Sequence, residues 1–109
     1  MDSKKRHNYK NLKNWQLGIE FPNHEKYDLS SQISRCSVSV PSNIAEGSSR
    51  TNRSFSHFLD VSLGSSFELI TQLIIASHRN YINQNIYNQL ENKIEEFQRM
   101  TMSFQNGLE

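Results

Sequence analysis

Apolar residues in this chain recur every three or four positions over stretches too long to be strands. Between residues 52 and 77, Phe55, Phe58, Leu59, Leu63, Phe67, Ile70, Leu73 and Ile74 cover nearly half the circumference of a helix. Such a helix is about 39 Å long at 1.5 Å per residue. Ser62 and Ser66 fall on the same arc and are small enough to let a neighbour come close. From Asn83 to Gly107, Ile86, Leu90, Ile94, Phe97, Thr101 and Phe104 follow at steps of 4, 4, 3, 4 and 3. Between residues 29 and 46, Leu29, Ile33, Cys36, Val40 and Ile44 form a third stripe. No useful length alternates with period two, and only four Gly and two Pro interrupt the chain, so the reading is all-α.

The remaining punctuation sets the boundaries. A short helical stretch at 11–20 places Leu12, Trp15 and Ile19 on one face. Phe21-Pro22-Asn23 ends it, because a residue before proline disfavours the helical region. Pro41 interrupts the second stripe: it lacks a backbone donor and clashes with the carbonyl of Ser37, which predicts a kink. The alternative is two helices, the later one starting at Pro41. Gly47 suits a left-handed stop, Thr51 and Asn83 suit N-caps, and Asn80 tolerates a left-handed C-terminal position. Amphipathic helices with short connections give an antiparallel up-down four-helix bundle with a shortened first helix, one domain over residues 1–109. A first helix that short leaves part of the groove between the others uncovered, to be met by a terminus, a second subunit or solvent.

Composition narrows the function. Net charge is +1, yet residues 1–56 carry nine Lys/Arg against five Asp/Glu and residues 57–109 carry three against six. Lys4, Lys5, Arg6 and Lys10 make the flexible entry at 1–10 basic, which suits phosphate contacts or a solvated terminus. One cysteine excludes an internal disulfide and a cysteine-built zinc cage. No apolar run approaches the ~20 residues of a membrane span, and the basic start has no apolar stretch behind it, so the expectation is a cytoplasmic protein without membrane contact.

Catalytic templates fail on the residues present. His7, His24, His57 and His78 include no i, i+4 pair, no glycine loop cradles phosphate, and Glu46 has no acid/base partner in view. Cys36 lies on a core stripe and reads as a small buried hydrophobe. The expectation is a non-enzymatic protein with no cofactor, no metal and no small-molecule substrate. Two constellations remain. Gln32, Ser39 and Asn43, with Glu46 beyond them, run along a flank of the second segment, either as a polar site or as a hydrogen-bonded line near Pro41. Val61, Gly64, Glu68, Gln72, Ile75 and Arg79 run at steps of 3, 4, 4, 3 and 4 on the side of the third segment away from its apolar arc. That spacing suits a helix–helix subunit contact.

The stretch from Ser30 to Gly47, containing Val40-Pro41-Ser42-Asn43-Ile44-Ala45-Glu46-Gly47, resembles the signature of the four-helix-bundle family encoded in 23S rRNA intervening sequences. Leu63-Gly64-Ser65-Ser66-Phe67-Glu68-Leu69-Ile70-Thr71-Gln72-Leu73 and the opening Tyr9, Leu12 and Trp15 are similar to it as well. The resemblance covers nearly the whole chain. It implies a homo-oligomer, typically a ring of five, and a relationship to retroelement accessory proteins that associate with a reverse transcriptase and its RNA. Three departures stand out: the first helix is shorter by several turns, Ser34-Arg35 replaces a pair of basic residues, and Ile70 replaces a glutamate.

Two functions follow as expectations. The first is an oligomeric bundle that binds structured RNA through Lys4, Lys5, Arg6, Lys10, Arg35, Arg50 and Arg53, the last two flanking a helix start where backbone donors favour anions. The second is a protein-interaction or scaffold module that binds no nucleic acid.

Overall fold

The computed structural model describes residues 29–108, which form three helices: α1 (Leu29–Ser48), α2 (Asn52–His78) and α3 (Gln84–Asn106). No strand occurs among the described residues. The expected first helix and the basic entry lie outside them.

Each helix follows from its stripe. In α1, Leu29, Ile33, Cys36, Val40, Ile44 and Gly47 are buried at steps of three and four. The helix runs through Pro41 as one element, so a separate helix starting there does not form. Thr51 caps α2 by accepting the Ser54 N–H on its hydroxyl (3.2 Å). At the other end Asn80 takes φ 61°, Asn80 N–H donates to the Ser77 carbonyl (3.0 Å), and Tyr81 N–H donates to the Ala76 carbonyl (2.9 Å). That pair of bonds is a Schellman stop, with Asn in place of the commoner glycine. Asn83 caps α3 through its side-chain oxygen, which accepts the Ile86 N–H (2.8 Å).

The helices pack antiparallel. Cys36 meets Gln72, Ser39 meets Ser65, and Val40 meets Ser62, so α1 and α2 run past each other in opposite senses. Ser66 meets Gln98, and Ser56 meets Gln105, which sets the same relation for α2 and α3. The apolar core falls into two clusters. One holds Leu29, Ile33, Cys36, Leu69, Leu73, Ala76, Ile82, Leu90 and Ile94. The other holds Val40, Ile44, Phe55, Leu59, Leu63 and Phe97. Where they meet along α2, Ser62 and Ser66 are fully buried. Ser62 donates to the Val40 carbonyl (2.7 Å) and Ser66 to the Leu63 carbonyl (2.6 Å), so their burial leaves no orphan hydroxyl.

Three sequence expectations change in the structure. Gly47 is not a left-handed stop: no described glycine has positive φ, and Gly47 lies inside α1. A Cβ there would sit 2.7 Å from Phe58 Cβ and 2.9 Å from Phe55 Cδ1, so this glycine is the price of bringing two helices together. The inner face of α2 is also rotated from the expected arc. Leu69, Gln72 and Ala76 are buried, whereas Phe67 is 54% exposed and Ile74 40%. The serines decide this, because a face lined by Ser62 and Ser66 lets α1 approach more closely than one lined by Phe67 and Ile74. The expectation of no span-length apolar run also changes. By length and composition alone, α2 is apolar enough to cross a membrane, with a mean hydropathy of 1.4 over its best 18 residues, of which 39% is buried.

Candidate functional site

The two polar constellations lie on neighbouring helices and meet. Gln32, Arg35, Cys36 and Ser39 of α1 and Ser65, Glu68 and Gln72 of α2 line one cleft of about 220 Å³. Antiparallel packing places them there: residues 32 to 39 of α1 run opposite residues 72 to 65 of α2. Asn43 donates from Nδ2 to the Ser39 carbonyl (2.8 Å) and to Ser39 Oγ (3.0 Å), and the Ser39 and Ser65 hydroxyls bond across the helices (2.8 Å). Ser39 thus links Asn43 to α2, and the line opens at Gln32 into a cleft.

Gln72 is 5% exposed. Its Nε2 donates to Cys36 Sγ (3.5 Å), and its Oε1 has no hydrogen-bond partner. Burial pushes the Cys36 thiol above its ordinary value. The bond from Gln72 opposes this, the Glu68 carboxylate and its hydrogen bond reinforce it, and Arg35 opposes it weakly. Cys36 is thus held as a protonated thiol, a poor nucleophile.

The other candidate residues scatter. Arg35 sits at the cleft, 15 positions from Arg50, roughly 22 Å along a helix. Arg50 is committed locally: its guanidinium pairs with Glu46 one turn back and lies 5.4 Å from the centre of the Phe58 ring. Arg53 lines an open depression of about 790 Å³ at the start of α2, together with His57, Asp60 and Leu108. Lys4, Lys5, Arg6 and Lys10 lie outside the described residues. Of the expected subunit seam, Val61, Gly64, Glu68, Ile75 and Arg79 are exposed, and Gln72 is buried against α1. Sequence reasoning missed that Phe67 and Ile74 belong to the same outer surface. The available signal was an apolar arc too wide for a single buried face. Among the described residues, no group of three His, Cys, Asp or Glu side chains is placed to hold a metal ion.

The sequence pattern of the 23S rRNA-intervening sequence proteins matches residues 7–103. The chain belongs to that family. Among solved structures it is similar to a protein of unknown function from the S23 ribosomal protein family of Bacteroides thetaiotaomicron. The two share 22% identity, the match covers 94% of this chain and 89% of that one, and the TM-score is 0.72. At that identity the likeness establishes a shared fold. No curated protein matches the chain. Within the family, the stretch from Pro41 to Gly47 now has a physical reading. Asn43 ties into the α1–α2 hydrogen bonds, Glu46 holds Arg50, and Gly47 admits Phe55 and Phe58. These residues close the α1–α2 corner.

Proposed function

We propose that this family member is a non-enzymatic, cytoplasmic helical scaffold whose copies join through the outer face of α2. The full frame would be a four-helix bundle with a short first helix and a bend at Pro41, assembled as a ring whose resemblance-based size is five. One observation carries the proposal: the most apolar of the described helices keeps Val61, Phe67, Ile74 and Ile75 between 38% and 54% exposed. Gly64, Phe67, Thr71 and Ile74 follow at steps of 3, 4 and 3, the spacing of a helix–helix seam. Nothing lies within 4 Å of a Cβ built on Gly64, so a second helix has room to approach. The one hydroxyl on this line, Thr71 Oγ1, already bonds to the Phe67 carbonyl (3.2 Å), so covering it costs little. Light scattering tests the proposal: the chain is expected to run as an oligomer and Phe67→Glu as a monomer with unchanged helical content. A monomeric parent chain at high concentration ends the proposal.

Structured RNA is the partner class favoured by the basic residues. Support comes from Arg53, which is exposed at the start of α2 beside Arg50, where backbone donors also face outward. Binding measured from low to moderate salt should weaken with a log–log slope that falls by about one in Arg53→Gln. Absence of binding at low salt leaves the scaffold without nucleic acid.

A further inference from the structure

We propose that the cleft between α1 and α2 is a binding site for a small zwitterion of the amino-acid type, its ammonium or guanidinium group seated at Glu68 and Gln72 and its carboxylate at Arg35. The site goes beyond the scaffold role, and the group it takes is a ligand rather than a substrate.

The cleft leaves acceptor groups on its α2 wall unfilled. Gln72 is almost fully buried, uses its amide N–H on Cys36 and offers an acceptor oxygen that receives nothing. A buried acceptor without a donor is rare in native proteins, and where one occurs at a cavity wall it marks a place for a donor. Glu68 stands about one turn after Ser65 and one turn before Gln72 on the same wall, so its carboxylate and the Gln72 oxygen belong to the same cleft. Glu68 forms no ion pair among the described residues, whereas Glu46 and Glu95 both pair with arginines one turn away. The hydroxyls of Ser39 and Ser65 are turned toward each other and ask for nothing charged. What remains is acceptor capacity and one negative charge, which a cationic donor group fills.

Size and the far wall refine the ligand. The cleft, at about 220 Å³, is far larger than the space a single water needs to satisfy one oxygen. Arg35, on the α1 side, is exposed and forms no ion pair among the described residues. A bare cation would meet its repulsion, and a ligand that also carries a carboxylate converts the repulsion into a charge-assisted bond.

The test uses the full chain labelled with ¹⁵N, titrated separately with free arginine, methylguanidine and acetate. Arginine is expected to give saturable shifts at the Gln72 side-chain amide and the backbone of Ser39 and Ser65 in the millimolar range. Methylguanidine should bind more weakly and acetate not at all. Glu68→Gln, a change at an exposed position, should weaken arginine at least tenfold. Arg35→Gln should weaken arginine and, by removing the repelling charge, strengthen methylguanidine. No saturable shift with arginine, equal shifts with acetate, or shifts unchanged in Glu68→Gln overturn the site. Mass measured on the same samples separates it from the scaffold proposal: binding at constant mass leaves assembly untouched, and binding that releases copies identifies the natural occupant as the corresponding groups of a second copy.

Discussion

Thr101 is fully buried on α3, and its hydroxyl has no hydrogen-bond partner. An unsatisfied buried hydroxyl costs about 1–3 kcal/mol, and valine has nearly the same shape. Thr101→Val should therefore raise stability by about 1 kcal/mol, read as a higher urea midpoint with an unchanged slope. At Gly47 two effects oppose each other. Alanine gains about 1 kcal/mol of helix propensity, but its Cβ meets Phe58 Cβ at 2.7 Å, and overpacking of that kind costs about 1–3 kcal/mol. Both neighbours sit on α2 and one contact is at a Cβ, which moves only with the backbone, so the clash wins and Gly47→Ala lowers the midpoint. Tyr87 carries a pH dependence. Burial, its hydrogen bond to Glu91 (2.7 Å) and the charges of Glu91 and Glu95 push its hydroxyl up to about 12. Its folded value lies above its unfolded value of about 10, so its contribution is complete below pH 10 and is lost as pH rises through 12. Ultraviolet titration should show a late tyrosine that is absent in Tyr87→Phe.

Among the elements, legibility followed locality. Thr51, Asn80 and Asn83 could be placed from sequence because a cap or stop is decided by a residue and its own next few neighbours. Asn80 also gives a test: at φ 61°, Asn80→Ala should cost about 1 kcal/mol, whereas Asn80→Gly keeps the turn and loses little. The helix number and span for residues 29–108 were readable for a similar reason, since periodicity is a property of each segment alone. The inner face of α2 was not, because it depends on which residues let α1 and α3 come near. Ser62 and Ser66 could be set on the inner arc by their spacing and size, but that Phe67 and Ile74 turn outward is decided only once α1 packs on those serines. Gly47 failed for the same reason: its constraint is Phe58, eleven residues further on. The cleft was half legible. The two polar lines were visible, but only antiparallel packing shows that Gln32 and Ser39 face Glu68 and Gln72.

For the molecule as a whole, association through the proposed outer face of α2 would couple stability to concentration. If copies join there, association stabilises the folded state by mass action, and the melting temperature rises with protein concentration. The driving groups are Val61, Phe67, Ile74 and Ile75, which are apolar, so the association should resist added salt. The opposite charges of the two halves of the chain suggest a rival, head-to-tail attraction that salt would screen. The two causes separate in one experiment. Melting of the parent chain across a hundredfold range of concentration, at low and high salt, is expected to show the same upward slope in both. Phe67→Glu should show a flat line, since a charge at the centre of an apolar seam must be desolvated for the copies to meet. A slope that vanishes in high salt assigns assembly to the charges instead, and a flat line for the parent chain removes the α2 seam as an interface.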